Sequence, residues 1–412
     1  MTQQPAATRS DRSTLLLAVI LAGLATLGPF AIDTYMPSFP AIGRAFGATP
    51  LELQQTLSAY LIPFAFMTLF HGTLSDSFGR KPVILVGLVL FAAASVGCAL
   101  AQSFNQLLLF RALQGMCAGT GIVVGRAMVR DLYEGHHAQR VMSMITMMFG
   151  LAPAIAPILG GWLESWFGWR SVFLFLVVFA GVLLAACAWA LPETLPRAQR
   201  QPFRPRPLLA NYRKLLRSLP FGLLCSVIAF NFAGFFLYIA SAPAVIYNLL
   251  RLDEKDFGYL FVPGIAGVII GAFVSGRVAH RLSPQRTIAI GFAIMFAAAT
   301  LNVVYCAAFP PRLPWTVLPV MAYTVGMAIA MPSLTILALD LFPHNRGMAS
   351  SLQGAQHSFF TGLTAGLVSP WVSGSALGLA ATASLLLACG FACWLVYARL
   401  PGATVQPALS VP

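Results

Sequence analysis

Charged side chains are scarce in this sequence. Asp, Glu, Lys and Arg together supply 9% of its 412 residues, and only 12 residues are acidic, whereas about 25% charge is usual for a soluble globular domain. That shortfall excludes an ordinary water-soluble fold. Ligand spacings are missing too. The seven cysteines (Cys98, Cys117, Cys187, Cys225, Cys306, Cys389 and Cys393) stand in apolar stretches, with no Cys-x-x-Cys and no Cys/His pairing at ligand distance. The sequence therefore predicts no metal site, no cofactor and no dithiol chemistry, and the cysteines read as small packing residues. No basic face exists away from the ends of apolar segments, which argues against a nucleic-acid partner. No cleaved signal is predicted, because the residues before Leu15 are polar and the apolar run after them exceeds a signal-peptide core.

What fills the chain is apolar: 58% of residues are hydrophobic and the mean hydropathy is +0.80. Stretches long enough to cross a hydrocarbon core of about 30 Å as helices recur at 14–36, 53–74, 83–101, 106–129, 139–163 and 170–191, then at 219–247, 257–276, 287–309, 315–339, 347–372 and 378–398. The pattern predicts an all-α integral membrane protein of twelve spans. A Pro/Arg-rich polar segment over 192–218 separates two six-span bundles, 14–191 and 219–399, with short tails over 1–13 and 400–412. Two equal halves are the mark of a duplicated transporter core.

Basic residues set the orientation. With the N-terminus in the cytoplasm, 19 Lys and Arg fall on the cytoplasmic side and 5 on the other. Both termini are thus expected inside, and the net charge of +13 reads as topology and attraction to anionic lipid.

This count leaves one base, Arg111, and the same count of acids leaves one acid, Asp33. An acid near the centre of a spanning helix costs about 2.5–3.5 kcal/mol, so each residue needs a reason. Asp33 lies near the outer end of the first span, and Arg111 sits about 9 Å, six residues, below the outer end of the fourth. Bland readings are a helix-end cap for Asp33 and snorkelling to the interface for Arg111. Matched depth favours a shared aqueous cavity in which the acid binds and releases a proton beside the cation.

Three segments carry more specific information. After span 2 comes Gly72 to Pro82, G-T-L-S-D-S-F-G-R-K-P, where Gly72 and Gly79 permit close approach and a tight turn. There Asp76 suits a neighbouring helix N-terminus, while Arg80 and Lys81 suit lipid phosphates. In span 4 lies R-A-L-Q-G, Arg111 to Gly115. Span 5 carries G-L-A-P-A-I-A-P-I-L-G-G, Gly150 to Gly161, in which Pro153 and Pro157 bend the helix and Gly160 and Gly161 permit tight apposition.

These segments resemble motifs A, B and C of the major facilitator superfamily, the last being the signature of drug:proton antiporters. With Asp33-Thr-Tyr-Met-Pro37, Pro192-Glu-Thr-Leu-Pro196, Leu339 to His344 and Gly347 to Ser351, nearly the whole chain resembles the Bcr/CflA subfamily of multidrug exporters. Motif A is incomplete at Ser77 and Val83, and its second-half echo, Gly276 to Arg281, has His280 where the acid would stand. The resemblance implies a twelve-helix fold in a bacterial inner membrane, Asp33 and Arg111 as the proton-coupling pair, and a motif A latch. It also implies a functional monomer that exchanges protons for drugs such as bicyclomycin, sulfonamides or phenicols. Candidate cavity groups are Gln114, Asn231, Phe235, Tyr238, Gln356 and His357, since aromatics with a few polar groups suit amphipathic ligands. A natural metabolite such as an amino acid or sugar is the alternative cargo. A remote alternative is a lipid acyltransferase, because His71 and Asp76 match H-x-x-x-x-D, a histidine base oriented by a carboxylate.

Overall fold

In the computed structural model the described residues are 11–133, 135–203, 205–278 and 281–400. Among them the secondary structure is helical. In the first half run α1 (Asp11–Asp33), the short α2 (Phe39–Phe46), α3 (Pro50–Phe78), α4 (Arg80–Leu100), α5 (Phe104–Leu132), α6 (Gly135–Phe167) and α7 (Arg170–Ala190). A linker helix, α8 (Pro205–Leu216), precedes α9 (Leu219–Ala240), α10 (Gly258–Val278), α11 (Pro284–Ala308), α12 (Leu318–Asp340), α13 (Arg346–Leu363), α14 (Ser369–Val372) and α15 (Ala376–Ala398). Twelve spans result, each within about a turn of its sequence boundary, except that α9 stops short and resumes in a π turn over Ala244–Leu249. Eleven are long and apolar enough to cross a membrane on composition alone. The exception is α13, diluted by Gln353, Gln356 and His357 and joined to α14 by a π turn over Thr364–Val368.

Local chemistry sets the ends. Thr49 and Glu52 form a reciprocal capping box at the start of α3, which satisfies two otherwise orphaned N–H groups. Gly79 joins α3 to α4 at φ 102°, a backbone region that a side chain strains. Leu and Val side chains on the outer surfaces of α4, α7 and α11, such as Val89, Val178 and Leu301, are exposed, and Trp189 and Trp371 at span ends are 84% exposed. An apolar belt edged by tryptophans is a lipid-facing surface.

Two features depart from the sequence reading. Span 1 ends at Asp33, close to its sequence boundary, but the chain beyond it is not the plain outer loop expected: further short helical elements follow as far as Phe46. Pro37 and Pro40 lack the N–H groups a continuous helix needs, so the chain breaks after Asp33 into a 3-10 turn over Met36–Ser38 and then α2. The polar linker is also partly helical. Leu208, Tyr212 and Leu215 recur at helical spacing and are buried, and Tyr212 donates to the Leu69 carbonyl at 2.9 Å. The tails over 1–10 and 401–412, and residues 134, 204, 279 and His280, lie outside the described set.

The two halves meet at the end opposite the linker, here the far face. Ser58 of α3 donates to the Gly362 carbonyl of α13 at 2.5 Å, and Tyr247 donates to the Pro37 carbonyl at 2.7 Å. In α6, a Cβ on Gly161 would collide with the Glu254 carbonyl. At the linker face, a cleft of about 470 Å³ opens between the end of α3, the linker and Met348 of α13. The far face is closed in this conformation.

Candidate functional site

Arg111 lies on α5, which packs against α1 and α3 through glycines: a Cβ on Gly115 would meet the Tyr60 carbonyl, and one on Gly121 the Leu24 carbonyl. The close approach encloses Arg111 completely, at 0% exposure. Its Nη1 donates to the Ala31 carbonyl at 2.9 Å and to Gln114 Oε1 at 2.5 Å. Its Cζ stands 4.8 Å from the Tyr35 ring centre and 4.5 Å from that of Tyr60. A guanidinium between two aromatic faces gains about 2 kcal/mol or more per desolvated contact. Nε and Nη2 nevertheless have no partner. Arg111 does not snorkel.

Asp33, two residues beyond the carbonyl that Arg111 grips, is 4% exposed. Among the described residues its side chain takes part in no ion pair or hydrogen bond. The two charges share a level, and Tyr60 is within electrostatic reach of both, but they are not bonded to each other. Asp33 is the last residue of α1, but its carboxylate caps no helix end, since it makes no hydrogen bond there. The break behind it is wedged by α6, where a Cβ on Gly160 would collide with the Thr34 backbone. Pro153 and Pro157 are both inside α6. Successive glycines thus serve different seams, Gly160 within the first half and Gly161 between halves.

The motif A residues form an ion cluster. Arg80 is 8% exposed and pairs with Asp76 at 2.6 Å and Asp131 at 3.1 Å. It also donates to Ser75 Oγ at 2.6 Å, and its backbone N–H donates to Glu193 at 3.0 Å. Arg80 is thus turned into the protein cluster through Nε and Nη1 instead of reaching out to lipid; Lys81 reaches the Ala188 carbonyl at 2.8 Å. Gly79 is crowded by Glu193 and Arg200, but Gly72 faces open space and is not a close contact. Asp76 pairs with Arg80 rather than with a helix end. His71 is buried against Gly119, so the His71 and Asp76 spacing assembles no acyl-transfer pair.

The cavity candidates divide. Gln114 is enclosed, accepting from Arg111 and donating to Ser95 Oγ at 2.8 Å, so it positions the cation instead of lining open space. Phe235 and Tyr238 point into the interior of the second half, where Tyr238 accepts from Asn302 at 2.6 Å beside a void of about 10 Å³. Asn231 is buried with neither amide atom bonded. Gln356 bonds Ser226 at 3.2 Å, and His357 lies 4.3 Å from the Phe232 ring centre. These two sit where α13 meets α9, and they are the candidates left at a partly open surface.

The family model that matches this chain is the Major Facilitator Superfamily, over residues 15–365. The chain belongs to that superfamily. As a member it is a multi-pass membrane transporter and not an enzyme. Among its relatives is multidrug resistance protein D of Escherichia coli K12, 30% identical over 404 residues, covering 97% of this chain and 99% of the relative. A bicyclomycin resistance protein homolog of Haemophilus influenzae is 29% identical over 350 residues, covering 84% and 86%. A chloramphenicol resistance protein of Pseudomonas aeruginosa is 30% identical over 346 residues, covering 82% and 80%. The solved structure of a bacterial homolog of the human lysosomal transporter Spinster shares the fold, with a TM-score of 0.72 at 17% identity, covering 98% of this chain and all of that one.

Sequence reasoning missed several residues of this candidate site. Tyr60 was silent because an aromatic in an apolar span looks like packing, and Tyr35 entered only as part of the D-T-Y-M-P segment, with no role of its own. Asp131, Glu193 and Thr194 were counted only as end charges or family signature, yet Thr194 donates to Asp131 at 2.8 Å and Glu193 accepts from the Arg80 backbone. The signal available was the acid-bearing P-E-T-L-P segment facing R-K across one membrane end.

Proposed function

We propose that this transporter exports small amphipathic drugs, of the bicyclomycin, sulfonamide or phenicol kind, in exchange for protons across the bacterial cytoplasmic membrane. Its linker face is cytoplasmic, and the chain works as a single unit. The observation that carries the reading is the mismatch at Arg111: a buried cation with two unpaired donors grips a carbonyl two residues from an acid that has no partner. A protonated Asp33 needs no cation. Once the proton leaves, the carboxylate needs one, and the free Nε and Nη2 groups offer a bidentate seat. Drug entering from the linker face favours proton loss and the paired state, and a proton from the far side breaks the pair and resets the cycle. Each ligand acts by stabilising one of two arrangements.

The latch reading has its own support. The N-cap residue of α13, Asn345, makes no side-chain cap bond, and Asp76 lines the same cleft as Met348 in the first turn of that helix. Closing the cleft brings a carboxylate to an uncapped helix N-terminus, which favours negative charge. Asp76→Asn will therefore lower export several-fold with little change in membrane abundance, whereas His71→Ala will leave export near normal. Acyl transfer by purified protein, lost in His71→Ala, is the result that overturns the transporter reading.

Topology is checked separately. Reporter fusions at Arg204 will report the cytoplasm, and fusions at Arg44 or Asp253 the outside. A fusion at Arg204 reporting the outside reverses the direction of export assigned here. The substrate class is tested by growth of a pump-deficient strain expressing the chain across an antibiotic panel, where raised resistance to amphipathic agents is expected and no change for any agent rejects drug export.

A further inference from the structure

At the far face the halves meet along α6. Gly161 leaves no room for a Cβ against the backbone of Glu254 and Lys255 in the turn before α10, and Tyr247 of the second half reaches Pro37 of the first. One turn beyond Gly161, on the same face of α6, stands Glu164, half-buried. It accepts a hydrogen bond from Ser38 Oγ at 2.8 Å, which ties it to the chain just past Asp33. The charged groups acting on it are Glu254 across the seam and Arg44 of α2. Tyr247, packed in the same seam, is within electrostatic reach of Glu254, Glu164, Asp253 and Arg44. Among the described residues Glu164 forms no ion pair, so one guanidinium at a distance faces carboxylates from both halves.

We propose that Glu164 is a second proton-binding residue of the transport cycle, which holds the far-face seam closed when protonated and loosens it when ionised. Like charges brought together in a water-poor seam oppose closure, and one proton removes that opposition. A protonated Glu164 keeps an oxygen free to accept from Ser38, so the tie to the Asp33 break survives. The proposal rests on the proton-coupled reading above. In that reading the acidic side meets the far face, and acidity there both loads Asp33 and closes the seam behind it.

The test is the distance across the far face as a function of pH. Spin labels go at Gln102 and Arg312, exposed loop positions of the two halves, in a chain whose native cysteines are replaced. Where that chain does not fold, a fluorophore pair carried by non-natural residues at the same positions replaces them. In detergent without drug, the distance in the otherwise unmodified chain will shorten on acidification from pH 8 to pH 5. Glu164→Gln will be closed at all pH values, losing the response, and Glu254→Gln will reduce it, while Asp33→Asn will retain it. A pH response unchanged in Glu164→Gln, or lost only in Asp33→Asn, overturns the role of Glu164. Because no export is measured, that failure is distinct from failure of the exchange reading, which is read from drug-evoked proton release.

Discussion

Asp33→Asn will reach the membrane and still bind drug, but it will lose drug-evoked proton release and active export. The side chains are nearly isosteric, and the site around Asp33 holds no hydrogen bond to break, so folding has little reason to suffer. What disappears is titration. One charge moved through about 100 mV supplies about 2.3 kcal/mol, which is more than a tenfold change in the drug gradient a cycle can sustain. That is comparable to the cost of keeping an acid in the spanning region. The measurement is the pH change on adding drug to purified protein, set beside export from cells. Proton release at wild-type stoichiometry, with export intact, sinks the assignment of Asp33.

Arg111 variants sharpen the same test. Arg111→Ala leaves the Ala31 carbonyl and Gln114 without their cation and removes the seat for the ionised acid, so coupling will be lost. Arg111→Lys keeps the charge but not the planar fork that spans Ala31, Gln114 and two rings, so it will retain part of the proton release.

The two lone charges were legible in the sequence because a charge inside a long apolar run is costly to keep and stands out against its neighbours. Their depth was legible as well, since helical rise converts residue counts into distance. What surrounds them was not. Tyr35 and Tyr60 come from different segments of the chain, and the spacing that brings them to Arg111 is set by Gly121 and Gly115 meeting the backbone of α1 and α3, a tertiary fact with no periodicity of its own. The end of the first span was legible to within a turn, but the 3-10 turn and α2 that follow it were not, and only the prolines at 37 and 40 mark that the chain there cannot continue one helix. The linker helix was masked by its arginines, although its three buried residues keep helical spacing. In the second half, Phe235 and Tyr238 look like ligand-binding aromatics on a one-dimensional reading. A helix has two faces here, and only packing tells the one turned to Asn302 from the one turned to the first half.

The paired glycines of α6 give the other large effect, and they are expected to fail in different ways. Gly150 has open space around it, so Gly150→Ala will transport like the wild type. A leucine at Gly160 drives its Cβ into the Thr34 backbone, inside the first half and directly behind Asp33. Backbone cannot step aside as a flexible side chain can, and overpacking of this kind costs about 1–3 kcal/mol or more. Gly160→Leu will therefore lower thermal stability and membrane abundance along with export. A leucine at Gly161 instead meets Glu254 across the seam between halves, where the protein can relieve the clash by staying open. Gly161→Leu will reach the membrane in near-normal amount and unfold at near-normal temperature, yet export will fall by about tenfold or more, because a bias of about 1.4 kcal/mol toward one arrangement already changes the balance tenfold. Thermal unfolding of the purified variants, beside transport per molecule in the membrane, separates the two. Near-normal export by all three variants means that α6 is not the packed seam described here, and loss of stability in Gly161→Leu equal to that in Gly160→Leu means that the far-face contact belongs to the fold and not to the cycle.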